Sequence, residues 1–184
     1  MFGSVSNSYL GAKNSFIRLE NHTNSHLANS YHAFMNEYQT LSHMQLVSEP
    51  QIYFSNSYFI PHHGIFQDEK KLRIVFNASA RFGTNSCLNI MLHAGPPLQT
   101  NVAIILSRWR FFQYGYSAYL EKMYRQILID PVDRHFQRNL WRASSDDPIK
   151  IFDLCAVTYG VTPCAFQAIR TLKQLAIEEA HRFP

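Results

Sequence analysis

Ser117-Ala118-Tyr119-Leu120-Glu121-Lys122-Met123-Tyr124-Arg125-Gln126-Ile127 is the stretch on which the reading of this chain turns. Residues 114–120 read as a strand, and in a strand Tyr119 and Glu121 share one face because successive side chains alternate. A phenol with an ordinary pKa of ~10 is neutral at pH 7 and binds hard divalent cations poorly. Tyr119 thus offers no carboxylate on that face, and Lys122, Tyr124 and Arg125 lie just beyond it.

Working upstream, Val102, Ile105, Leu106 and Trp109 recur at i, i+3, i+4 and i+7, which predicts an amphipathic helix capped by Thr100 or Asn101. The span 80–97, with Gly95 and the Pro96-Pro97 pair, reads as a loop interrupted by a segment at 88–92. Residues 57–60, 64–67 and 72–76 read as short strands, the last two joined by the polar turn Asp68-Glu69-Lys70. Leu27, Tyr31, Phe34, Met35, Tyr38 and Leu41 fall on one helical face, with Asn24 or Ser25 as cap. Residues 1–24 show little periodicity and are expected to be a mobile lead-in to a domain spanning 25–184.

Downstream, Asp130-Pro131 signals a short helix, and residues 139–142 and 149–157 should form a hairpin around the Ser/Asp turn before Pro148. Thr162 and Pro163 precede a last helix whose stripe is Phe166, Ile169, Leu172 and Ala176. Helices and strands in this irregular order predict an α+β fold rather than a doubly wound sheet.

At 184 residues with 46% hydrophobic content, the chain can bury one sizeable core. A net charge of +4 and a pI near 9.0 suit a polyanionic partner. Three cysteines cannot all pair and show no zinc spacing, so reduced thiols are expected. None of the histidines has a metal-ligand arrangement; His22 and His26 share a helical spacing without a third ligand. The Ser/Asn-rich start has no signal-like apolar core, and no run approaches ~18 apolar residues. The expectation is an intracellular protein, nuclear or cytoplasmic, with no membrane partner.

Several further motifs occur in a fixed order: Arg18-Leu19-Glu20, Phe34-Met35-Asn36-Glu37-Tyr38, Tyr58-Phe59-Ile60-Pro61-His62-His63, Lys71-Leu72-Arg73-Ile74-Val75-Phe76-Asn77-Ala78-Ser79-Ala80, Leu88-Asn89, Val157-Thr158-Tyr159-Gly160 and Ala168-Ile169-Arg170-Thr171-Leu172. Together with the opening stretch they resemble the reverse transcriptase of Bel/Pao-type LTR retrotransposons, from about Phe16 to Pro184. The resemblance implies polymerase fingers plus an incomplete palm that stops before the Tyr-x-Asp-Asp hairpin. It also implies a parent reaction, template-directed addition of deoxynucleotides to a primer on an RNA or DNA template with magnesium.

Within that resemblance Arg73 is the residue over the incoming nucleotide and Lys71 a second phosphate contact. Tyr124 matches the ring that excludes a ribose 2′-hydroxyl. Tyr159 and Gly160 match the motif that packs against the template and nascent base pair, and Lys122 and Arg125 lie beside the nucleic-acid groove. The chain departs from the family pattern where it matters for chemistry. Tyr119 stands in the position of the metal-binding Asp, Asn77 in that of the fingers Asp, Cys164-Ala165-Phe166 in that of Ala-Pro-Phe, and no Tyr-x-Asp-Asp occurs. The only Asp-Asp pair, Asp146-Asp147, reads as a solvated turn. The expected product is an inactive chain with no cofactor of its own, magnesium belonging to the parent family. The other readings are a non-catalytic nucleic-acid-binding or regulatory protein and a relic without selected function. An uncovered palm edge, with Val157 and the 166–175 helix face in the exposed patch, would favour self-association.

Overall fold

Tyr31, Met35 and Tyr38 are spaced i, i+4, i+7, and burying them makes residues Ser25–Thr40 a helix, here α2. Leu41 falls beyond its end and is exposed, because Ser42 turns the chain in a left-handed conformation (φ 58°). The computed structural model describes residues 5–23, 25–48, 57–67, 71–82 and 86–182. Ahead of α2 lies α1 (Val5–His22), and after it come β1 (Met44–Leu46), β2 (His62–Gln67), β3 (Lys71–Phe76) and α3 (Leu88–Met91). Then follow α4 (Val102–Trp109), β4 (Arg138–Trp141), β5 (Lys150–Leu154) and α5 (Cys164–Glu178), with 3-10 turns at Met123–Gln126, Arg134–Phe136 and Ala180–Arg182.

Two antiparallel sheets form the frame. One is ordered β1-β5-β4, with Met44 opposite Leu154 and Leu140 opposite Ile151; the other is the β2–β3 hairpin, with His62 opposite Phe76. Mixed helix and antiparallel sheet agree with the α+β expectation. The segment 57–60 is held to β4 by a single parallel bridge, Phe59 to Arg138, with Ile60 N–H donating to the Arg138 carbonyl at 2.7 Å. It therefore joins the sheet without becoming the strand that its sequence suggests.

Tyr31, Met35, Ile60, Ile74, Phe76, Trp141 and Leu154 meet in one apolar core between the first two helices and the sheets. His62 sits in its midst, fully buried. Its Nε2 lies 2.8 Å from the Leu140 carbonyl and its Nδ1 faces the Tyr31 hydroxyl. The carbonyl can only accept, so Nε2 carries the proton and Nδ1 accepts from Tyr31. Burial drives the His62 pKa down to about 4, against the opposing pull of the Leu140 bond.

The expected mobile lead-in is instead α1, over the part of residues 1–24 that is described. Ala12 and Phe16 are each only 2% exposed, Ser8 is buried one turn earlier, and Phe82 lies against Gly11, where a Cβ would meet its ring at 2.0 Å. Arg142, next to β4, grips Glu20 of α1 with Nε and Nη2 at 2.8 and 2.6 Å. A bidentate pair of this kind fixes a helix against a sheet in both distance and angle.

The hairpin of residues 139–142 and 149–157 forms as the sequence predicts, and Arg138 and Asp153 close its open end at 2.8 Å. Asp146 and Asp147 lie exposed in its turn. Residues 130–133 form a turn in which Asp130 caps Val132 N–H at 3.0 Å, leading into a 3-10 turn in place of the expected short α-helix. In α5 the Pro163 position provides no side-chain cap bond, and Ala168 is its buried residue. Phe166, Ile169 and Leu172 are half-buried, and Ala176 is exposed. The Asp68-Glu69-Lys70 turn lies outside the described residues.

The largest departure is at residues 114–120, which form no strand. The chain leaves the packed body after Leu98, whose carbonyl accepts from Lys173 Nζ at 2.6 Å, and every residue from 99 to 122 is exposed. Strand propensity needs a partner strand to satisfy the backbone, and none lies beside this stretch among the described residues. Val157, expected in an exposed patch, is buried instead, because residues 127–129 pair across it: Val157 N–H donates to the Ile127 carbonyl at 2.8 Å. Among the described residues no helix is long and apolar enough to cross a membrane.

Candidate nucleic-acid interface

Alternation along β3 buries Ile74 and Phe76 and turns Arg73 outward. The Arg73 guanidinium stands over the Tyr159 ring, 5.9 Å from its centroid. Tyr159 packs edge-on against Phe76 at 5.9 Å, and its hydroxyl donates to the Ile74 carbonyl. Burial raises its pKa, so it stays a neutral donor; Arg125 pulls in the opposite direction without prevailing. Lys71 pairs through its backbone with Gln67, and its side chain lies outside the described residues.

Gly160 follows at φ +94°, and a Cβ there would come within 2.7 Å of the Phe76 carbonyl oxygen. Only glycine fits such a conformation and approach. The close contact is thus with the chain's own β3, not with open space for a ligand. Asn89 fastens the same corner: its amide donates to the Gly160 carbonyl and to Ser79 Oγ, both at 2.8 Å, and accepts from Thr162 N–H at 2.8 Å.

Arg125 and Lys122 converge on Glu37 of α2. Lys122 Nζ is 2.7 Å and Arg125 Nη1 3.3 Å from the same carboxylate oxygen. The Arg125 guanidinium also lies over Tyr38 and Phe34, at 4.4 and 5.0 Å from their centroids. The hydrogen bond from Lys122 holds the Glu37 carboxyl below its ordinary range. Lys122 takes a left-handed backbone (φ 50°) to reach it. Tyr124 is half-buried, and burial raises its pKa. Three of the residues singled out by the sequence, Arg73, Arg125 and Tyr159, therefore share one corner of the molecule. Lys122 and Arg125 are spent largely on Glu37, a partner that sequence reasoning missed because its spacing carries no signal across 85 residues.

Tyr119 is 89% exposed, on the irregular stretch. A two-magnesium centre needs several carboxylate oxygens converging within a few ångströms. Tyr119 offers a phenol, its neighbour Glu121 is one exposed carboxylate, and among the described residues no group of three His, Cys, Asp or Glu side chains comes together. This donor set does not fit that metal centre. The cysteines are unpaired, and burial raises the Cys155 thiol pKa, leaving it a poor nucleophile. What the corner can do chemically is bind: it offers a guanidinium over an aromatic ring.

No protein-family model matches this chain, and no curated protein matches it.

Proposed function

We propose that this chain is a reverse-transcriptase-derived fingers and palm region that binds nucleic acid and does not polymerise it. The observation that carries the reading is the corner formed by Arg73, Tyr159 and Arg125, where a fingers cation and two residues from distant motifs come together. The missing chemistry is argued from Tyr119 and from the absence of Tyr-x-Asp-Asp in the 184 residues. Phosphate neutralisation by arginines makes such binding steeply dependent on salt.

The test is a salt titration of a recessed RNA–DNA hybrid against the purified chain and Arg73→Ala, with Arg170→Ala on exposed α5 as control. Affinity should fall as salt rises, and Arg73→Ala should weaken binding where Arg170→Ala does not. Binding flat in salt, or equal effects of the two substitutions, defeats the reading. In the same preparation no primer should be extended with magnesium or manganese, and Tyr119→Asp alone should not restore extension. Template-dependent incorporation by the unaltered chain would refute the non-catalytic part.

A further inference from the structure

The cations of this molecule fall into two sets. Lys122, Arg125, Arg138, Arg142 and Arg182 are all paired with carboxylates. Arg108 and Arg110, like Arg18, Arg73, Arg81 and Arg170, are exposed and make no ion pair among the described residues. No Asp or Glu occurs from position 71 to 120, and Glu121 is the first acid after the two arginines.

Around these two guanidinium groups the surface carries exposed rings beside the exposed aliphatic side chains Ile104, Ile105 and Leu106 of α4. Phe111 is 86%, Tyr116 87% and Tyr119 89% exposed, with Phe112, Tyr114 and Trp109 also open to solvent. Trp109 is set by its neighbours: the chain turns back after α4, with Phe112 N–H donating to the Trp109 carbonyl at 3.1 Å, and the indole covers Gly115, where a Cβ would lie 3.4 Å from the ring. Between Arg110 and Leu120 the side chains are aromatic, polar or small, with no Val, Ile, Leu or Met. Flat rings alternating with unpaired arginines are the composition of a platform for unstacked bases, in which rings take the bases and cations follow the backbone.

We propose that residues 108–119 form a binding site for single-stranded nucleic acid, with Tyr116 and Tyr119 as stacking rings and Arg108 and Arg110 as phosphate contacts. The site uses none of the residues of the Arg73 corner and shares with it the class of ligand. Because every residue concerned is exposed, substitutions there leave the packed core untouched.

The experiment measures binding of a fluorescent 20-mer of deoxythymidine to the full chain by anisotropy across a salt series. Tyr116→Ala and Tyr119→Ala should each weaken binding by about fivefold or more while leaving the salt slope unchanged. Arg108→Gln with Arg110→Gln should lower the slope of log affinity against log salt by about 1.4, from two lost phosphate contacts on a single strand. Loss of affinity on ring substitution, with the slope kept, supports the site. Binding that is indifferent to both ring substitutions overturns it. A chain that sediments as a dimer, and that Tyr116→Ala turns into a monomer with single-strand affinity unchanged, also overturns it and assigns the strip to self-association. The two functional readings separate cleanly. Single-strand binding that survives Arg73→Ala but fails with Tyr119→Ala upholds the strip even if the hybrid does not bind, and hybrid binding lost only with Arg73→Ala upholds the corner without the strip.

Discussion

The body formed by α1, α2 and the two sheets differs from the stretch 99–122 in what its side chains touch. In the first, rings are spent on one another: Tyr31 stacks on Trp141 at 5.5 Å and Phe16 meets Trp141 edge-on at 5.8 Å. In the second, rings as large face solvent, and the guanidinium groups beside them pair with no carboxylate among the described residues. The same residue types thus hold the fold together in one region and stand free for a ligand in the other. Burial, rather than composition, separates structural from available residues.

The sharpest way to break that contrast is to remove one ring from each side. Phe76→Ala opens a cavity in the core and should cost roughly 3–5 kcal/mol in chemical denaturation, whereas Phe111→Ser should stay within about 0.5 kcal/mol. A comparable loss from both would mean that residues 99–122 are packed in solution.

Next in size is the buried histidine. His62 has a folded pKa of about 4, below the ordinary 6.5, so the unfolded chain takes up a proton that the folded chain refuses. Stability from this group is complete above pH 6.5 and is lost as pH falls from there to about 4. The shift corresponds to ~3 kcal/mol at most. His43 is also lowered, chiefly by burial, and acts in the same direction. Denaturation at pH 7 and pH 4.5 should show the loss, and His62→Gln should reduce it; an unchanged pH dependence in the variant would place the effect elsewhere.

Asn139 lies at the centre of β4, 0% exposed, and neither polar atom of its side chain finds a hydrogen-bond partner among the described residues. Leaving such an amide unsatisfied costs about 1–3 kcal/mol, and an apolar side chain of similar size avoids that cost. Asn139→Leu should raise the melting temperature, and a lowered one would show that the amide is satisfied in solution. The smallest effect is expected where the two regions meet. Glu37→Gln cuts the tie to Lys122 and Arg125, and an exposed pair of this kind contributes less than ~1 kcal/mol. A larger loss would show that this tie, and not the sheet, anchors the chain after the exposed stretch.

Much of the body is legible in the sequence because each element buries one face. The i, i+4, i+7 spacing of Tyr31, Met35 and Tyr38 announces α2, and the alternation of Arg73 with Ile74 and Phe76 announces β3; outside the body, Asn101 caps α4, accepting from Ala103 N–H at 2.8 Å, although α4 buries no residue. The same reasoning fails for α1, whose buried face is Ser8, Ala12 and Phe16: two small side chains carry no hydrophobic period, although they let the helix lie close to the sheet. It fails again at Tyr114–Leu120, where β-favouring side chains have no strand to pair with.

For the site, the sequence by itself determined which residue types are present: an arginine at 73, a tyrosine at 119, a glycine after Tyr159, and no acid between 71 and 120. Only the tertiary structure decided which of them are free. Glu37 reaches across from α2 to take up Lys122 and Arg125, the Phe76 carbonyl takes the space beside Gly160, and Arg108 and Arg110 make no ion pair among the described residues. A charge or a ring becomes a binding group only when no neighbour in space has already satisfied it, and those neighbours are set by packing between segments far apart in the chain.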